Sequence, residues 1–171
     1  MIRNRLAGLA ALLLAFSGPA AAGRFGPPPG GGAPAPPLGA TAFRGGAPSA
    51  GPRIVHFWAT WCVPCRRELP VLGEAVPRLA AAGVGVVTVA LRDHPDDLAA
   101  YLDELGVALP VLLDADGRDA ASWRVLGLPS TFVVDGAGRV RGVHIGPLPW
   151  EDPAVGAEIA ALAGAAPAQA P

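Results

Sequence analysis

A run of β-branched and aromatic residues, Arg53-Ile-Val-His-Phe-Trp58, gives way at Ala59-Thr60 to Trp61-Cys62-Val63-Pro64-Cys65 and then to a long stretch of helix formers. No other feature of the chain limits its fold so tightly. An apolar run without polar alternation suits a strand buried on both faces, and Pro64 suits a first helical turn. Residues Pro64 to Ala82 therefore predict a helix, kinked at Pro70 and capped by Gly83. Cys62 then stands at a helix N-terminus, with Cys65 one turn inside. Unpaired N–H groups and the positive end of the helix dipole stabilise a thiolate at Cys62, and the thiolate is the nucleophile of disulfide exchange. Cys65 is placed to resolve the mixed disulfide that results.

These are the only two cysteines in 171 residues. A purely structural bridge between residues three apart closes a tiny loop and restrains the unfolded chain little, whereas C-x-x-C beside a βα unit reads as redox chemistry. A zinc site normally takes four ligands, and only His56, His94 and His144 are there to complement the sulfurs, at no regular spacing. No metal site is therefore expected. A peroxiredoxin is disfavoured, because the resolving cysteine follows at once and no separate peroxidatic cysteine exists.

The longer segment F-W-A-T-W-C-V-P-C-R-R-E-L-P resembles the active-site stretch of thioredoxin-like proteins, specifically the extracytoplasmic thiol:disulfide reductases of the TlpA and ResA type. A Sco-like copper carrier, by contrast, would want three residues between its cysteines. The resemblance implies an α/β, thioredoxin-like fold: a mixed central sheet flanked by helices, with an extra strand and helix inserted. It implies reduction of protein disulfides, in this family commonly in or near apocytochromes c. It implies no cofactor beyond the redox-active pair Cys62 and Cys65. It also implies a cis peptide bond before Pro129, in Gly127-Leu128-Pro129-Ser130-Thr131-Phe132, facing the cysteines, although from the residues alone a trans bond is expected. Trp61, Pro64, Leu128 and Pro129 would line the substrate groove.

Two titratable side chains come forward as tuning groups. Glu68 lies three residues after Cys65, on the same helical face, and the resembled family carries a glutamate there that influences cysteine reactivity; from composition alone it is an ordinary solvated carboxylate. His56 lies on the strand leading to the cysteines, where thioredoxin has a buried Asp and TlpA-like relatives often have Asn. It reads equally as a proton acceptor for Cys65 and as a satisfied core histidine. Arg66 and Arg67 either favour the thiolate and dock an acidic partner or simply face solvent. His94 and His144 fall in a loop and a hairpin, where exposure is expected. Trp61 is expected at the rim of the site and Trp58 in the core.

Along the rest of the chain, arginines at positions 3 and 5, an apolar run Leu6 to Phe16, breakers, and Ala20-Ala21-Ala22 read as a secretory signal over 1–22. The run is shorter than the roughly 20 residues of a spanning helix. A soluble extracytoplasmic protein after cleavage is therefore expected, with an uncleaved anchor the alternative. Residues 23–37 are Pro/Gly-rich and poor in large apolar side chains, which predicts a largely disordered linker reaching to about Pro52, with Leu38 to Phe43 the only remnant of a first strand. A thioredoxin-like domain over 38–165 and a disordered tail over 166–171 complete the division. A net charge of −1 gives no basic excess for nucleic acid.

Within the domain, Val84 to Leu91 reads as a second buried strand, Pro95 to Leu105 as a helix with Leu98, Tyr101, Leu102 and Leu105 on one face, Pro110 to Leu113 as a strand and Asp119 to Val125 as a short helix. Asp114-Ala115-Asp116-Gly117 lacks the later ligands of a calcium loop and reads as a turn. Val133-Val134-Asp135, Gly136-Ala137-Gly138 and Arg139 to Ile145 form a hairpin signal. Ala154 to Leu162 is a terminal helix, with Trp150 before it as a packing anchor. The expectation as a whole is an exported, monomeric thiol:disulfide oxidoreductase, running as a reductase supplied by a membrane thiol carrier. The alternatives are a disulfide-donating oxidase and a metal-binding module.

Overall fold

The computed structural model describes residues 24–45, 50–106 and 108–165. The leader over 1–22 and the tail over 166–171 lie outside them. The elements in order are β1 (Thr41–Arg44), β2 (Arg53–Trp58), α1 (Val63–Ala81), β3 (Gly85–Leu91), α2 (Pro95–Leu105), β4 (Val111–Asp114), α3 (Arg118–Ser122), β5 (Ser130–Val134), β6 (Val140–Ile145) and α4 (Pro153–Ala163). The six strands form one sheet in the order β1-β4-β3-β2-β5-β6. β2 runs parallel to β3 and antiparallel to β5, and β1 is antiparallel to β4, so the sheet is mixed. This is a thioredoxin-like fold.

The unbroken apolar character of β2 follows from its place. With neighbours on both sides and cover on both faces, its residues alternate between two cores. Ile54 and Trp58 join Leu69 and Leu72 of α1, Leu98 and Leu102 of α2, and Val155 and Ile159 of α4. Val55 and Phe57 join Val87, Val89, Phe132, and Trp123 just beyond α3. The second face has only a five-residue helix over it.

The Pro/Gly-rich stretch makes up that deficit. The tether expected over 23–37 is corrected where it is described: residues 24–37 lie against the domain as a strap. Gly26 and Val143 exchange backbone hydrogen bonds of 2.9 and 3.2 Å, and Ala35 donates to the Gly138 carbonyl at 2.8 Å. Phe25 packs on the first core and Ala35 on the second. Arg24 pairs with Asp152, His144 Nδ1 bonds the Arg24 carbonyl at 2.8 Å, and the Phe25 amide donates to Glu158. The strap thus covers part of β6, an edge strand whose backbone groups would otherwise be open to pairing.

Helix α1 runs on through Pro70 and Pro77 to Ala81, where the sequence predicted a kink at Pro70. Pro70 has no N–H to give the Arg66 carbonyl four residues back; the Tyr101 hydroxyl of α2 donates to that oxygen instead, at 3.2 Å. Gly83 follows the helix at φ 74°, the left-handed turn that favours glycine. The Asp114 turn anchors the next helix, because its carboxylate accepts from the Asp119 and Ala120 amides at the start of α3.

Candidate active site

The cysteines sit where the C-terminal end of central strand β2 turns into α1. Cys62 is the N-cap of the helix, in extended backbone, and its sulfur accepts from the Cys65 amide at 3.4 Å. The two sulfurs are bonded to each other, with Cα atoms 5.3 Å apart. Cys62 keeps 6% of its surface exposed and Cys65 none, so an incoming group reaches Cys62 first. Beside it Trp61 is 60% exposed, at the rim, while Trp58 is wholly buried against Tyr101.

The loop before the helix is held from β3. The Asp93 carboxylate, just past that strand, accepts from the Thr60 amide at 3.0 and 3.2 Å and from the Thr60 hydroxyl at 2.6 Å. Burial raises its pKa, the Thr60 bonds oppose the rise, and the nearby Asp97 charge adds to it. Sequence reasoning passed over Asp93. The available signal was a carboxylate directly after a buried strand parallel to the one that carries the cysteines.

The Leu128–Pro129 bond is cis, as the resemblance implies. Pro129 leads into β5, which pairs with β2, and its carbonyl accepts from the Gly146 amide at 2.8 Å. Since Phe57 pairs with Ser130, Pro129 lies at the same end of the sheet as the cysteines. Leu128 packs partly buried against both cores.

Glu68 is buried rather than solvated. Glu68 stands three residues after Cys65 on α1, which puts the two on one face of the helix. Oε1 accepts from the Leu148 amide at 3.0 Å and from the indole N–H of Trp150. Oε2 is buried with no partner among the described residues. Burial pushes this carboxyl up to about 7, against the two donors, which pull it down.

His56 is fully buried on β2. Its Nδ1 bonds the Thr131 hydroxyl on β5 at 3.0 Å, its Nε2 has no partner among the described residues, and its ring meets Trp150 edge-on. Burial holds its pKa down at about 3, so the imidazole is neutral. Glu68 and His56 therefore meet through Trp150, which the sequence alone marks only as a packing anchor. The guanidinium of Arg66 stacks over Tyr101, 4.6 Å from the ring centre, and Arg67 is exposed. Among the described residues no group of three or more His, Cys, Asp or Glu side chains is placed to hold a metal ion, and no helix is long and apolar enough to cross a membrane.

Comparison with known proteins adds the family. The model described as the AhpC/TSA family matches residues 46–143. The thiol:disulfide interchange protein DsbE homolog of Paracoccus denitrificans is 42% identical over 103 residues, covering 60% of this chain and 55% of that protein. The thiol-disulfide oxidoreductase ResA of Geobacillus thermodenitrificans is 30% identical over 99 residues, 58% of this chain and 57% of that one. The chain thus spans about half the length of the curated relatives it matches. Among solved structures, a putative thiol:disulfide interchange protein DsbE from Chlorobium tepidum superposes with a TM-score of 0.67 at 26% identity, covering 78% of this chain and 97% of that one.

Proposed function

The chain belongs to the AhpC/TSA family, and from that premise we propose that it is an extracytoplasmic thiol:disulfide oxidoreductase that reduces protein disulfides. One observation carries the reading: a C-x-x-C pair at a helix start, with 6% of the first cysteine exposed and none of the second. In the reduced protein the amide that meets Cys62 Sγ would face a thiolate, and the helix dipole favours that charge.

The Cys62 thiolate attacks one sulfur of a substrate disulfide, forming a mixed disulfide and releasing the other substrate sulfur as a thiolate that takes a proton from solvent. Cys65 gives its proton to a base, attacks Cys62 Sγ, and releases the second substrate thiol. Two electrons pass from the cysteine pair to the substrate, and the Cys62–Cys65 bond closes. Glu68, with a pKa near 7 and on the helix face it shares with Cys65, is the base suited to neutral pH. His56, with its pKa near 3, is a far weaker base. Its part is in holding the core. The substrate class is a disulfide-bearing protein, such as an apocytochrome c with its haem-attachment cysteines paired, and reducing equivalents come from a membrane thiol carrier, since an oxidising compartment offers no soluble pool.

The direction rests on the residues between the cysteines. Val63-Pro64 lacks the histidine that stabilises the reduced thiolate in strongly oxidising sites of the DsbA type. A potential nearer thioredoxin's, about −270 mV, than DsbA's, about −120 mV, is expected; the two differ by roughly 7 kcal/mol. Equilibration of the purified protein against dithiothreitol buffers measures it, and a value near the DsbA figure would overturn the reductase reading. Cys62→Ser is expected to abolish reduction of insulin disulfides, and Cys65→Ser to accumulate covalent mixed disulfides with substrate. Full activity of Cys62→Ser would remove the whole assignment.

A further inference from the structure

Trp150 arrives at the site from a distant part of the chain, on the loop before α4, and it is buried. Its backbone is held from α1, where Arg78 Nη2 donates to the Trp150 carbonyl at 2.7 Å. Its ring meets His56 edge-on, and its indole N–H donates to Glu68 Oε1, the same oxygen that takes the Leu148 amide. Two donors on one oxygen leave a planar carboxyl little rotational freedom, and they choose which oxygen stays open. The open one, Oε2, is buried and without a partner among the described residues, on a side chain that shares its helix face with Cys65. A buried acceptor left unpaired is costly in a site that has no use for it.

Building on the reading of Glu68 as the base, we propose that Trp150 is a positioning residue for the resolving step: its indole N–H, with the Leu148 amide, holds Glu68 so that Oε2 faces Cys65 and takes the thiol proton as Cys65 attacks. The proton moves from Cys65 Sγ to Glu68 Oε2, the electron pair of the S–H bond becomes the new Cys65–Cys62 bond, and the substrate sulfur leaves with the pair of the bond that breaks. The charged and titratable groups that meet Trp150 are Glu68 at its indole N–H, Arg78 at its backbone carbonyl and neutral His56 at its ring. Only Glu68 is bonded to the indole N–H.

The test separates positioning from packing. The ionised Glu68 gains more from an N–H donor than the neutral form does, so removing that donor raises its proton affinity. In reduced Trp150→Phe, the Glu68-linked step in the pH profile of cysteine alkylation by iodoacetamide is expected to move to higher pH. Disulfide exchange at pH 7 is expected to fall about tenfold, the worth of one hydrogen bond to a charged group. In Glu68→Gln that step is absent, and adding Trp150→Phe is expected to change neither profile nor rate further, because residues acting as one unit are not additive. Benzothienylalanine at position 150 keeps the shape of the ring without the N–H; if Trp150→Phe misfolds, this replacement carries the same expectation.

An unmoved profile in a folded variant, a Glu68→Gln profile identical to wild type, or additive losses in the double variant would each overturn the proposal. The alkylation arm needs no substrate. Failure of the wild type to exchange any disulfide would therefore count against the oxidoreductase reading, and an unmoved profile against Trp150.

Discussion

Burial makes Glu68 the most pH-sensitive carboxylate of the site, raising its pKa against the two hydrogen bonds that one of its oxygens accepts. Its pKa rises from 4.5 to about 7 on folding, so between those values the folded state holds a proton that the unfolded state has released. The stability it contributes is fully present below about pH 4.5 and is lost as pH rises through 7. His56 acts with the opposite sign: its pKa falls from 6.5 to about 3, so its contribution is present above 6.5 and is lost as pH falls toward 3. Glu68→Gln isolates the first effect. In the oxidised protein, urea unfolding at pH 4.5 and pH 8 should show the variant gaining on wild type by on the order of 3 kcal/mol between the two; an unchanged difference would mean that the carboxyl is not protonated on folding. Helical spacing put Glu68 on the face of Cys65, but only the family resemblance marked it as a tuning group, since from the residues alone it read as a solvated carboxylate. Trp150 and Asp93 were not legible as parts of the site, since they meet their partners Glu68 and Thr60 across separations of 82 and 33 residues.

Between α1 and α2 one hydrogen bond replaces another. Proline at position 70 leaves the Arg66 carbonyl without its helical donor, and the Tyr101 hydroxyl supplies one from the neighbouring helix. Tyr101→Phe should therefore cost about 1 kcal/mol of unfolding free energy. In a Pro70→Ala background the amide of residue 70 can take over, so the same change should cost measurably less. A double-mutant cycle by urea denaturation reads the difference, and equal costs in both backgrounds would separate the hydroxyl from the proline. The elements themselves were largely readable because their ends are local. Pro64, Pro95 and Pro153 open helices, Cys62, His94 and Asp152 cap them, and Gly83 and Gly106 follow their ends in the left-handed conformation. The boundaries moved where pairing decided them: β4 takes in Asp114, opposite Leu91 of β3, and α3 stops at Ser122 because Trp123 turns into the second core.

Across the whole molecule, the strap from Arg24 to Pro37 shows composition misleading for a physical reason. Few large apolar residues cannot build a core, but Phe25 and Ala35 need only complete one that the sheet already provides. A chain beginning at Leu38 should be less stable than the full chain by about 1 kcal/mol, a fraction of the worth of a fully buried phenylalanine because Phe25 is half-buried, as read from the urea midpoint. No loss would return the stretch to a tether. What the sequence determined by itself was what depends on neighbours along the chain: the strand buried on both faces, the helix that opens at Cys62, the redox spacing of the pair and the turn at Asp114. The tertiary structure alone decided which cysteine is reached from outside, that Glu68 loses its water, that Trp150 stands between it and His56, and that the strap closes over β6. Each of these depends on burial and on contacts between residues far apart in sequence, and local periodicity contains neither.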